Sequence, residues 1–425
     1  MLSVLRRPAY RNLFTAQVVA LLGTGLLTVA LGLLAFDLAG GQAGAVLGTA
    51  LTIKMVAYVF VAPLMAALVE SLPRKTVLVG ADLVRAAIAL SLPFIDQMWQ
   101  IYVLVFILQS ASATFTPAFQ ALTPVVLPEE KDYTKALSLS RVAYDLESLV
   151  SPLLAAVLLV VMSYNNLFVG TMAGFLVSAA MVLLTRLPVM PPTQARGSLL
   201  HRTTLGTRIF LLEPTLRGLM ALNLVVATAT ALVLVNTVVY VRDLFGGSNT
   251  DVAVALAFYG AGSMFIAFIA PRALQRIPDR SFMLLGGSIL TLGLLATAFL
   301  ALPEQSRTDL ADGSWTILLG LWVLLGIGTS MISTPSSRLL PRAATDNTRT
   351  YLFTAQFSLS HACFMLTYPI AGWVGAAAGQ TAAALVLGAL ALAGTIAALI
   401  VWSSPARAAP ASEAADTDRG ASSGR

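Results

Sequence analysis

Arg141, Tyr144, Asp145, Glu147 and Ser151 fall in one stretch, Arg141-Val-Ala-Tyr-Asp-Leu-Glu-Ser-Leu-Val-Ser-Pro152, inside a run that otherwise reads as a membrane-spanning helix. An ionisable side chain in the centre of a bilayer costs about 2.5–3.5 kcal/mol on insertion scales, so such groups face a bundle interior or a wet cavity and are paired. Arg141 and Asp145 are i,i+4 neighbours and can pair within their own helix. Glu147 lies about 160° round the helix from Asp145, on the face of Tyr144 and Ser151, and needs a partner elsewhere. A carboxylate opposed by an ammonium at the midplane is suited to carrying a proton. Burial favours the neutral acid and the cation favours the ionised one, so a change of access or an arriving cation tips the balance.

The elements that hold these residues follow from composition and hydropathy. The chain is 57% apolar and 11% charged, with mean hydropathy +0.83. Soluble domains carry about 25% charged residues, so this is an integral membrane protein. Segments of about 20 apolar residues fall near 13–38, 44–69, 76–97, 99–123, 134–162 and 165–187. A second set falls near 216–241, 251–271, 282–302, 315–336, 350–376 and 379–402. The expected organisation is a six-helix bundle at 1–187, a basic cytoplasmic linker at 188–214, a second bundle at 215–402 and a disordered cytoplasmic tail at 403–425. The apolar run after Arg6, Arg7 and Arg11 is too long for a signal peptide and reads as a retained first helix. The single cysteine, Cys363, excludes an intrachain disulfide framework.

Of the 26 Lys and Arg residues, 21 fall on the side of the N-terminus, Arg242 and Arg307 on the other, and Lys54, Arg85 and Arg141 inside spans. The positive-inside rule then puts both termini in the cytoplasm, in a cell inner membrane. The excess charge is a topology signal and does not point to nucleic acid. The two sets of spans are related. Ala62-Pro63 and Pro73-Arg74 recur as Ala270-Pro271 and Pro278-Asp-Arg280, Thr116-Pro117 as Thr334-Pro335, and Pro152 as Pro369. Ser138-Leu-Ser-Arg141 recurs as Ser358-Leu-Ser-His361. A duplicated six-helix unit of this kind is the plan of a rocking secondary transporter that binds solute near the midplane between its halves.

Twelve spans in a 6+6 arrangement with a central basic linker resemble the major facilitator superfamily. The loop after span 2 of that family usually reads Gly-x-x-x-Asp-Arg-x-Gly-Arg-Arg/Lys. Here it is Ala66-Ala-Leu-Val-Glu70-Ser-Leu-Pro-Arg74-Lys75, followed by Asp82-x-x-Arg85 on span 3. The resemblance implies that Glu70, Arg74, Lys75, Asp82 and Arg85 form a gating or helix-locking set. Glu147-x-x-x-Ser151-Pro152-x-x-Ala155-Ala156 resembles the family's antiporter motif, with Glu147 where a glycine is usual. Leu31 to Gly40, Ile53 to Tyr58, Lys135 to Ser148 and Ser358 to Cys363 are similar to the nickel-resistance exporter branch, whose members often carry a histidine-rich C-terminus. The tail Ser403 to Arg425 has no histidine.

By a rise of about 1.5 Å per residue, Lys54, Arg85, Asp145 and Glu147 lie roughly 15 Å deep, near the midplane. The simplest pairing is Arg141 with Asp145, Asp82 with Arg85, and Lys54 with Glu147 between spans 2 and 5. Arg141–Asp145 is equally well a static pair. His361 and Cys363 are about 200° apart and cannot chelate one ion, whereas His361 and Met365 share a face. Glu147, His361 and Met365 are therefore the candidate metal ligands, with a packed, hydrogen-bonded His361 as the plainer alternative. No ATP-binding sequence or hydrolase motif is present, so neither an enzyme nor a cofactor is expected.

The expectation is an all-α membrane protein of twelve helices in two pseudo-symmetric bundles, a secondary efflux transporter and a monomer. It would exchange protons for a divalent metal such as nickel or cobalt; alternatively it exports drugs or other small lipophilic compounds. A non-transporting scaffold would have no need of balanced midplane charges.

Overall fold

A computed structural model describes residues 2–61, 72–186, 207–300, 313–343 and 349–402, and among them there is no β-strand. Twelve long helices run in order: α1 Pro8–Ala39, α2 Ala43–Val56, α3 Arg74–Ser91, α4 Met98–Val126, α5 Glu130–Val161 and α6 Asn165–Leu184. They are followed by α7 Pro214–Val238, α8 Asn249–Ala273, α9 Asp279–Leu300, α10 Ser314–Ala343, α11 Arg349–Pro369 and α12 Gly375–Val401. Wide π turns extend α2 (Ala57–Val61) and α7 (Val239–Leu244), and a third joins α11 to α12 (Ile370–Val374). Pro8 opens α1 in the first turn, where its missing N–H is not needed. Gly40, at φ 53°, ends that helix in a conformation that suits glycine, so only three residues separate α1 from α2.

Nine stretches of the described residues are long and apolar enough to cross a membrane. Two of these, Pro8–Val61 and Ala355–Val401, each contain two helices. Helix α5 contributes a shorter apolar stretch, Leu149–Val161. Val160, Val161, Phe268, Leu292 and Ile400 are among the large apolar side chains left exposed on the outside of the bundle. In water such a surface would be an aggregation hazard; against lipid tails it is the expected surface.

The same packing plan is used twice. Helix α1 lies on α5 and α6, and α7 on α11 and α12; α3 packs on α4 and α6, and α9 on α10 and α12. Even a detail at the helix ends repeats. Lys75, at the start of α3, donates from Nζ to the carbonyls of Leu183 (2.5 Å) and Thr185 (3.1 Å) at the end of α6. Arg280, at the start of α9, donates from Nε to the Trp402 carbonyl (2.6 Å) and from Nη2 to the Leu399 carbonyl (3.1 Å) at the end of α12. Each cation satisfies carbonyls that the helix itself leaves unpaired.

The halves meet along two seams, α5 against α8 and α2 against α11. At the end poor in Lys and Arg the second seam is closed tightly. A methyl built on Gly48 would lie 2.7 Å from the Tyr368 carbonyl oxygen and 3.1 Å from Gly372 Cα. Such backbone approach requires small residues. Trp373 donates to Thr49 Oγ1 across the seam (3.0 Å), and the Arg242 guanidinium lies 5.1 Å from the Phe36 ring centre.

Candidate functional site

Tyr58 sits in the π turn that ends α2, one turn on from Lys54, whose ammonium is 6.0 Å from the Tyr58 ring centre. Wide turns of this kind recur at functional sites because they re-aim side chains within a helix. Tyr58 stacks on His361 of α11, with ring centres 5.3 Å apart and planes 17° from parallel. Phe357 packs against both rings, 4.1 Å from His361 and 6.1 Å from Tyr58, and its carbonyl lies 2.7 Å from His361 Nδ1. Three rings thus bridge the α2–α11 seam.

Glu147 lies on α5. Its carboxylate and the Lys54 ammonium interact electrostatically, but no contact ion pair joins them. On its other side the carboxylate rests against α1: Glu147 Oε1 lies 2.9 Å from where a methyl on Gly25 would stand. Ser151, one turn along α5, is fully buried at the same contact. Tyr144, one turn in the other direction, is 40% exposed and hydrogen-bonded to Gln17 of α1. Gln17 Oε1 also accepts from Ser140 Oγ at 3.0 Å. The acid is therefore set against α1 with Tyr144 one turn away, and Lys54, which lies beside the ring cluster, is its cationic counterpart.

Asp82 and Arg85 form a separate, fully buried unit. Asp82 Oδ1 pairs with Arg85, and Oδ2 accepts from Ser178 Oγ of α6 at 2.7 Å. The Arg85 guanidinium is held between Phe115 of α4 (4.3 Å) and Phe175 of α6 (4.4 Å). Two cation–π faces and a charge-assisted hydrogen bond replace the water this pair gave up. The unit ties α3, α4 and α6 together.

The other sequence candidates are placed as follows. Arg74 begins α3, half-exposed, and Lys75 caps α6. Met365 is one turn from His361 but packs against the main hydrophobic core. Asp37 is exposed near the end of α1 and hydrogen-bonded to Tyr164. Glu70 lies outside the described residues, as do the side chains of Arg141 and Asp145, most of the linker and the tail. No group of three or more His, Cys, Asp and Glu that could hold a metal occurs among the described residues.

Sequence reasoning missed Tyr58, Phe357 and Gly25. Tyr58 could have been found, because it is four residues from Lys54 and shares its face. Phe357 stands in the same relation to His361. Gly25 gives no such signal, because glycines are frequent in α1 and only the approach of α5 distinguishes this one.

Twelve helices in two packed, similar halves, with an ionisable cluster between them, define a secondary transporter. The chain belongs to the Major Facilitator Superfamily, which it matches over residues 13–311 and 245–423. It is a multi-pass membrane transporter and not an enzyme. Among curated proteins it is similar to macrolide efflux protein A of Enterococcus faecalis, 30% identical over 33% of this chain and 47% of the relative. The macrolide efflux protein A of Streptococcus pyogenes is 27% identical over 42% of this chain and 45% of its own length. An uncharacterized MFS-type transporter of Bacillus subtilis, YfiS, is 25% identical over 55% and 56%. The matched region thus spans about half the length of the curated relatives. The Enterococcus and Streptococcus relatives are efflux proteins named for macrolides, not for nickel. In fold, a mutant of the nucleoside transporter NupG superposes with TM-score 0.75 at 12% identity, covering 93% of this chain and 100% of that one. A bacterial homologue of the lysosomal transporter Spinster superposes with TM-score 0.67 at 12% identity, over 94% and 98%.

Proposed function

We propose that this chain is a proton-coupled exporter of lipophilic compounds of the macrolide kind, working in the cytoplasmic membrane of a bacterium. The observation that carries the reading is Glu147. It is an intramembrane carboxylate on α5 with Tyr144 one turn away, opposed by Lys54 without a contact pair, and Lys54 in turn lies beside the Tyr58–His361–Phe357 rings at the seam between the halves. An acid in that setting can take up a proton without first breaking a salt bridge. Rings around one charge offer stacking faces to a large apolar solute and few fixed donors, which suits selection by shape and lipophilicity. The similarity to macrolide efflux proteins supports the same substrate class.

In this reading the bundles at 1–187 and 215–402 rock about the central site, joined by 188–214, with both termini cytoplasmic and the sealed α2–α11 end outward. Glu147 is protonated from outside and releases the proton inside as solute moves the other way. The metal reading, nickel or cobalt, has less support. Glu147 and His361 are too few for a borderline cation, Met365 is packed into the core, and His361 Nδ1 is engaged by the Phe357 carbonyl. Expression in a host stripped of its own pumps separates the two. Raised resistance to macrolides and lipophilic dyes, lost in Glu147→Gln, is the expected result. Resistance to nickel or cobalt instead would replace this reading with the metal one, and resistance to neither would leave transport of these solutes without support.

A further inference from the structure

Glu147 stands where the antiporter pattern has a glycine, so the room for its side chain has to come from another helix. The structure places that room on α1, at Gly25. A methyl built there would overlap both Cβ and Oγ of Ser151 and lie 2.9 Å from Glu147 Oε1. Gly41 also faces a carboxylate, Asp243 at 3.0 Å, but at the last turn of its span and not in its interior. Gly23, two residues before Gly25, is also tightly packed but serves another contact. Its added methyl would meet the Thr171 carbonyl (3.2 Å) and Gly174 Cα (3.8 Å) on α6. Ser151 would take the brunt of this crowding: its hydroxyl is buried, has no hydrogen-bond partner, and lies on the same Gly25 face as the carboxylate.

We infer that Gly25 is a positioning residue for Glu147: with Ser151 it forms the seat on α1 and α5 that fixes how far the carboxylate stands from Lys54. The small residue that the antiporter pattern has on α5 is in effect supplied by α1. The seat matters because the energy of a charge pair falls with separation and rises steeply in a dry environment. A displacement of a few tenths of an ångström therefore changes how readily the acid holds its proton. Among the described residues, the charged or titratable groups that act on Glu147 are Lys54 from α2 and, on its own helix, Tyr144. The described residues of α1 and α8, packed against the rest of α5, add no charge to it.

This inference rests on Glu147 as the coupling group, and the test keeps the two apart. Efflux of a fluorescent lipophilic substrate is followed against pH in everted vesicles for the wild type, Glu147→Gln, Gly25→Ala, Gly23→Ala and the double variant Gly25→Ala/Ser151→Gly. Gly25→Ala is expected to displace the midpoint of the pH profile by on the order of half a unit. Gly23→Ala should lower the amount of transporter in the membrane without moving the midpoint. Removing the Ser151 side chain in the double variant makes space for the new methyl and should bring the midpoint back towards the wild-type value. If Gly25→Ala fails to accumulate, Ser151→Thr crowds the same contact from α5 and should give the same displacement. Loss of pH dependence in Glu147→Gln together with an unmoved midpoint in the crowded variants would overturn the seat and leave the coupling intact. An unchanged profile in Glu147→Gln would overturn the coupling itself.

Discussion

The two halves share a packing plan but fill their interiors with different chemistry. In the N-terminal half α3 is tied to α6 by the Asp82–Arg85 pair and Ser178. In the C-terminal half the corresponding pair, α9 and α12, is tied by Thr291 and Thr395, whose hydroxyls are 3.3 Å apart. Helix α5 presents Glu147 to α1, whereas α11 presents Thr367, which donates to the Ala227 carbonyl of α7 at 3.0 Å. The rest of the C-terminal interior follows suit. Asn236 Nδ2 donates to Gln380 Oε1 (2.6 Å) and the Ala371 carbonyl (3.1 Å), Trp322 Nε1 to Thr237 Oγ1 (2.8 Å), and Tyr259 links Thr230 to Thr329. The N-terminal half holds the buried carboxylates and their cations, whereas these C-terminal contacts join neutral groups that satisfy one another, with His361 as the titratable group at the seam. A transporter in which one half carries the coupling ion and the other forms a constant wall to the site needs that division of labour.

The largest effect should come from breaking the buried charge unit. Asp82→Ala leaves Arg85 unpaired between Phe115 and Phe175, and removing one partner of a buried pair costs about 3–5 kcal/mol. Thermal unfolding in detergent should show this as a large fall in Tm, with poor recovery from the membrane. Asn236→Leu in the neutral half leaves Gln380 and the Ala371 carbonyl without their donor, at about 1–3 kcal/mol by the same measurement. Thr291→Val should be the mildest, about 0.5–1.5 kcal/mol, since each threonine also bonds within its own helix or has a small polar surface to satisfy. If Thr291→Val cost as much as Asp82→Ala, the contrast between the halves would be one of residue type and not of energetics.

Much of this was open to reading from the chain. The twelve spans were legible because a span is an uninterrupted apolar run of known length, and the π turns and interior prolines do not disturb that signal. The internal repeat was visible through Pro152 and Pro369 and through the basic residues after the second and eighth spans; Lys75 and Arg280 turn out to cap equivalent helices. The ionisable residues stood out in hydrocarbon, but their partners did not. Asp82 and Arg85 are three residues apart on one helix, so their contact is local, whereas the relation of Glu147 to Lys54 depends on how α2 and α5 are rotated, which no local pattern encodes. The neutral network of Asn236, Gln380, Trp322 and Thr237 was illegible for a related reason: uncharged polar residues are cheap enough in a membrane protein to occur without a role. The likeness to nickel exporters rested on short intramembrane stretches, where apolar composition limits how much a match can say about substrate. The curated relatives whose names carry a substrate are macrolide efflux proteins.

The central claim is that Glu147 couples solute movement to protons. It is tested most directly in proteoliposomes, by comparing substrate transport driven by an imposed pH gradient with substrate exchange at equal pH on both sides, in the wild type and in Glu147→Gln. The account predicts that the variant loses gradient-driven transport to the level of empty liposomes while exchange continues. Gradient-driven transport that persists in Glu147→Gln would contradict it.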